Sequence, residues 1–136
     1  MAEKENKDMD EVLDEINSAL NDIKGIASHQ KRVGFCVSLG TIFLIEFYLR
    51  RLNVLKSGGK IDHRWLKKKK ENAKKHISAQ ITCPIEELFA LDSILNIAYK
   101  IESDRNKIVY GKEIDEKELR HYIDLFFKLK KEVEDV

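Results

Sequence analysis

Apolar residues recur along most of this chain at spacings of three and four, the period of a helix with one buried face. Val12, Leu13, Ile16, Leu20, Ile23 and Ala27 draw the first stripe from Met9 onward, and Gly25 and Ser28 predict a break at its end. Val33 to Leu49 is apolar nearly all round, the pattern of a central helix contacted on several sides. Leu88, Leu91, Leu95, Ala98, Ile101 and Ile108 form a third stripe, and Leu119, Tyr122, Ile123, Phe126, Leu129 and Val133 a fourth. Strand-like alternation is scarce. These patterns predict an all-α fold, an up-and-down bundle of four main helices plus a short basic helical piece at Arg64 to His76. The polar start predicts a flexible N-terminus over 1–8, followed by a single domain over 9–136.

The punctuation agrees with this reading. Ser57-Gly58-Gly59-Lys60 is a flexible turn without the spacing of a phosphate loop, and Asp62 is placed to cap the basic piece. Thr82-Cys83-Pro84 predicts the start of the third main helix, with Pro in its first turn. Gly111 predicts a left-handed cap after Val109, and Asp115-Glu116-Lys117-Glu118 a capping box for the last helix.

Charge alters the picture. The formal net charge of +1 conceals residues 50–76, which carry eleven basic and two acidic groups. Such a block is either a phosphate-binding surface or a solvated face paired with the acidic first thirty residues. The apolar segment 33–49 is shorter than the ~20 residues a membrane span needs, and Glu46 within it would be costly in lipid. We therefore expect no membrane association. Two cysteines, Cys36 and Cys83, give no disulfide framework, which predicts free thiols and a cytoplasmic location. His29, His63, His76 and His121 show no metal-ligand spacing, so neither metal nor cofactor is expected.

Arg105 is the residue that departs from the pattern. It stands beside Ile101 and Ile108 at the end of the third stripe, where a guanidinium needs a carboxylate, a phosphate or a wet crevice. The plainer alternative is that its methylenes lie over the core while its head stays in water. Glu46, the one carboxylate of the central apolar helix, is a candidate partner that would hold Arg105; otherwise it faces water near Arg50.

The run Arg105-Asn106-Lys107-Ile108-Val109-Tyr110-Gly111, followed by a capped amphipathic helix, resembles the signature turn of the HEPN superfamily. Glu46-Phe47-Tyr48-Leu49-Arg50-Arg51 resembles the end of that family's second helix, and Asp62-His63 resembles a position where several of its members carry a histidine. The resemblance is strongest over residues 85–136. It implies a small helical domain, often a metal-independent ribonuclease of the toxin–antitoxin type, working as a homodimer beside a nucleotidyltransferase-type partner protein.

On that resemblance Arg105 and Tyr110 are the candidate catalytic residues, Asn106, Lys107 and His63 the candidate substrate-binding residues, and Glu46 a supporting one. Arg105 would neutralise a scissile phosphate of RNA. The chain departs from the family at Tyr110, which stands where the catalytic histidine is usual. A phenol ionises near about pH 10 and is a poor base at neutrality. The departure divides an active endoribonuclease from a weakened relative that only binds RNA or nucleotide phosphate. His121 either reaches the cleft or sits on the surface beside Tyr122. The competing class is a helical protein–protein interaction module with no nucleic-acid chemistry.

Overall fold

The computed structural model describes residues 3–135, with side chains from Lys7 onward. The helices are α1 (Glu3–Asn21), α2 (Gln30–Arg51), α3 (His63–Leu66), α4 (Lys70–Ser78), α5 (Leu91–Tyr110) and α6 (Glu116–Glu134). Short 3₁₀ turns fill Ile26–His29 and Ile85–Glu87. The fold is all-α. Among the described residues the only β feature is an isolated antiparallel bridge between Leu55 and Ile81. Helix α1 begins before Met9, at Glu3, and the first two residues of the expected flexible segment lie outside the described residues.

Helix α2 is the element the others share, packed by α1, α5 and α6. Its composition explains this. Val33, Val37, Ile45 and Leu49 are completely buried, while Gly34 and Gly40 let neighbours approach to where a side chain would stand. A Cβ on Gly40 would lie 2.6 Å from Phe126 on α6. A Cβ on Gly34 would lie 2.7 Å from Val109 on α5. The stretch Ile26–Arg51 is apolar enough by length and composition to cross a membrane, with mean hydropathy 1.6, yet 56% of its apolar window is buried against the protein itself.

Several local expectations resolve differently. The third main helix starts at Leu91, not at Thr82. Thr82 cannot cap it, because its N–H and hydroxyl both donate to the Val54 carbonyl, at 2.8 and 3.3 Å. Pro84 then opens only the 3₁₀ turn. The basic piece is two helices rather than one, since Lys67, Lys68 and Lys69 interrupt it, Lys69 leaving helical geometry with a ψ of 145°. It packs firmly all the same, burying Leu66, Ala73 and Ile77 and stacking Trp65 on His76. Asp62 caps α3 as expected, accepting from the Arg64 N–H at 2.9 Å.

Gly25 breaks the chain after α1 with φ of 90°, a conformation suited to glycine. Gly111 is not left-handed; its φ is −85°. Glycine is needed there for a different reason, because a Cβ would stand 2.3 Å from the Lys107 carbonyl oxygen. The capping box is half formed: Asp115 accepts from the Lys117 N–H at 2.7 Å, while Glu118 reaches back to Lys107 instead.

Candidate functional site

The last two turns of α5 are held in place by a residue far away in sequence. Gln30, buried at the start of α2, donates from Nε2 to the carbonyls of Ile108 and Lys112, each at 3.0 Å. Its Oε1 accepts from the Ile114 N–H at 3.0 Å. One amide thus ties the end of α5 and the following turn to α2. Beneath them Tyr122 donates to the Gly34 carbonyl at 3.2 Å, and burial pushes its phenol well above the usual range.

Upon this base lies a polar cluster drawn from three helices. Glu102, on α5, is fully buried. Ser38, on α2, donates to its Oε1 at 2.6 Å. His63, at the start of α3, places Nδ1 3.5 Å from Oε2, too long for a good hydrogen bond. Burial raises the Glu102 carboxyl above its ordinary value, against the opposing effects of the Ser38 hydroxyl and the positive charges of His63 and Arg105.

Arg105 follows Glu102 by nearly one turn and is half-buried. Its guanidinium carbon lies 5.5 Å from the centre of the Phe35 ring, a cation–π arrangement, and Nη1 donates to Asn106 Oδ1 at 3.1 Å. Phe35 also receives Tyr110 edge-on, with ring centres 6.1 Å apart and planes at 89°. Three buried polar atoms of this neighbourhood have no hydrogen-bond partner: His63 Nδ1, Glu102 Oε2 and Arg105 Nε. Unsatisfied buried groups are uncommon and costly, so three in one neighbourhood mark it out.

The structure sets Arg105 and Tyr110 against Phe35 with Asn106 bonded to Arg105, and links His63 to the same helix through Glu102. It places Lys107 elsewhere. Two residues past Arg105 on a helix is the other side, and Lys107 pairs there with Glu118 at 2.8 Å, in a groove of about 340 Å³ that also includes the exposed His121. Glu46 is engaged away from Arg105: its Oε2 accepts from the Ile61 N–H at 2.9 Å, and Arg50 lies 4.0 Å from Oε1. The acid nearest in helical position to Arg105 is Glu102, which the apolar pattern of α5 had hidden. Ser38 and Phe35 were equally invisible, read only as part of a central apolar helix. The one available signal was Glu102 itself, an acid four residues after Ala98 on the buried stripe.

The ring of His63 also borders an open cleft of about 680 Å³ with Lys60, Asp62, Arg64 and Trp65. Beyond it the exposed Lys68 and Lys69 continue the basic surface, while Lys70 and Lys74 are drawn to Asp92, at 3.8 and 2.9 Å. Among the described residues no group of three or more His, Cys, Asp or Glu side chains could hold a metal. No protein-family model, no curated protein and no solved structure matches the chain, so its functional reading rests on this geometry and on the pattern of its residues.

Proposed function

We propose that this chain is a HEPN-type protein directed at RNA, its four long helices forming an up-and-down bundle that presents Arg105 to a phosphate. The observation that carries the reading is the state of Arg105. Its guanidinium is laid on Phe35 at the edge of the core with Nη1 on Asn106 and the side chain half-buried, an arrangement whose outer edge a phosphate can meet. Asn106 and Tyr110 flank it as groups for a ribose or a base, and the lysines beyond His63 supply long-range attraction. The reading carries with it a cytoplasmic homodimer, a nucleotidyltransferase-type partner and no bound cofactor. Exposed Phe35 and Leu39, adjacent on one face of α2, suit a second copy meeting the first beside Arg105.

The same exposed residues favour the second reading, an interaction module without nucleic-acid chemistry. Titrating a mixed-sequence single-stranded RNA at several salt concentrations separates the two. Under the first reading binding weakens steeply with salt and Arg105→Ala weakens it further at every concentration. Absence of binding at low salt favours the module.

A further inference from the structure

We propose that His63, oriented by the buried carboxylate of Glu102, is the proton-transferring group of this site, in place of Tyr110. The inference rests on the RNA-directed reading of the Arg105 turn and assigns the chemistry that the family-like position 110 does not supply. Tyr110 is 70% exposed and its ring meets the edge of Phe35.

His63 has what Tyr110 lacks. Its Nδ1 is buried and turned toward Glu102, and its side chain is 33% exposed, on the cleft with Lys60 and Arg64. With the Nδ1 edge inward, the Nε2 edge is the one open to a ligand. Glu102 is itself held: Ser38 occupies one of its oxygens, leaving the other for the imidazole. A carboxylate behind a histidine fixes the tautomer and stabilises the imidazolium that forms when the ring accepts a proton. The 3.5 Å separation is that of a contact which shortens once the ring is charged.

The step is a transesterification within RNA. Neutral His63 takes the proton of a ribose 2′-hydroxyl as that oxygen attacks the neighbouring phosphorus. The O2′–P bond forms and the P–O5′ bond breaks. The departing 5′ oxygen takes a proton from water, and His63 returns its own to solvent. Products are a 2′,3′-cyclic phosphate and a 5′-hydroxyl. Arg105, on the turn of α5 after Glu102, is the cation this assignment sets against the charge that builds on the phosphoryl oxygens. Glu102 is a positioning residue and does not touch the substrate.

The test is cleavage of an end-labelled, mixed-sequence single-stranded RNA by the full chain, with binding measured in parallel and folding checked by circular dichroism. His63→Ala should lower kcat by about 10²–10⁴-fold with RNA affinity unchanged. Added imidazole should restore part of that loss, and should restore none in Arg105→Ala. Glu102→Gln, which keeps an acceptor for Ser38, should lower kcat without raising KM, whereas any loss in Tyr110→Phe should fall on KM, with kcat as in the wild type. Should His63→Ala fail to fold, His63→Gln takes its place. Wild-type cleavage by the His63 variant, or a fall in kcat for Tyr110→Phe as large as that for His63→Ala, overturns the assignment. A wild type that binds RNA and leaves it intact overturns it while sparing the binding reading, and a wild type that does not bind overturns both.

Discussion

Ser38 donates a 2.6 Å hydrogen bond to a Glu102 carboxylate that is fully buried, yet the carboxyl still titrates above its ordinary value of 4.5. Burial therefore outweighs the combined help of Ser38, His63 and Arg105. The folded carboxyl holds its proton more tightly than the unfolded one, so this group favours the fold most below pH 4.5 and progressively less as the pH rises toward its folded value. Glu102→Gln should accordingly stabilise the protein at neutral pH. The gain should vanish as the pH falls through about 4.5. Urea denaturation of both proteins across that interval measures it, and a variant less stable at neutral pH would show that the three partners outweigh burial. A more stable, less active variant would mark Glu102 as retained for chemistry.

Gln30 offers a test of how the turn is held. Replacing it by Ala leaves the Ile108 and Lys112 carbonyls and the Ile114 N–H without their shared partner. The cost should be about 1–3 kcal/mol. Its local sign should be faster hydrogen exchange at the Ile114 amide and weaker RNA binding, because Arg105 sits on the turns that Gln30 anchors. Exchange at Ile114 unchanged beside wild-type stability would mean that water replaces the side chain without loss.

What the sequence made legible follows from how each interaction is built. The stripes of α1, α2, α5 and α6 are local, so Ile16, Val37, Ile101 and Phe126 were recognisable as core from their spacing, and all four are buried. Thr82-Cys83-Pro84 misled because a good cap sequence was claimed by a distant acceptor, Val54, which no local rule reveals. Arg105 drew notice as a charge on an apolar stripe, but Glu102, as anomalous and one turn earlier, did not. Its meaning depends on Ser38, separated from it by 64 positions, and on His63, brought in by a four-residue helix. Glu46 was singled out as a candidate partner for Arg105 or a residue facing water near Arg50. Its acceptor capacity goes to the Ile61 backbone, an interaction set by the path of the loop after α2.

His29 joins the corner between α1 and α2, with Asp22 at 2.8 Å from Nε2 and Glu15 at 3.1 Å from Nδ1. Hydrogen bonds to Asp22 and then Glu15 raise the imidazole above its ordinary 6.5. Its contribution is therefore complete below pH 6.5 and is lost as the pH climbs through the raised value. On the acid side the same bonds hold Asp22 below 3.8, while His29 and Arg32 hold Glu15 below 4.5 despite burial, so their contributions fade as the pH falls past those depressed values. The urea midpoint of the wild type should decline as the pH rises above 6.5 relative to that of His29→Gln. Parallel curves for the two proteins would remove His29 from any role in the pH dependence of stability.

Two glycines on α2 separate damage to the fold from damage to the site. A Cβ at position 40 would press on Phe126 at 2.6 Å and Val12 at 3.0 Å, both core residues on other helices. A Cβ at position 34 would press on Val109 at 2.7 Å and Ile108 at 2.9 Å, in the turns that carry Arg105 and Tyr110. Interiors this dense absorb an extra methyl only by shifting neighbours, so Gly34→Ala and Gly40→Ala should each cost about 1–3 kcal/mol. Their effects on the site should differ. Gly34→Ala pushes α5 away from α2, lifting Arg105 off the adjacent Phe35 ring, and should weaken RNA binding under conditions where the variant is fully folded. Gly40→Ala strains α2 against α6 and α1 and should bind RNA as the wild type does once folded. Comparing the two at matched folded fractions isolates the geometry of the Arg105 turn from global stability, and equal losses of binding would place the contribution of that turn elsewhere.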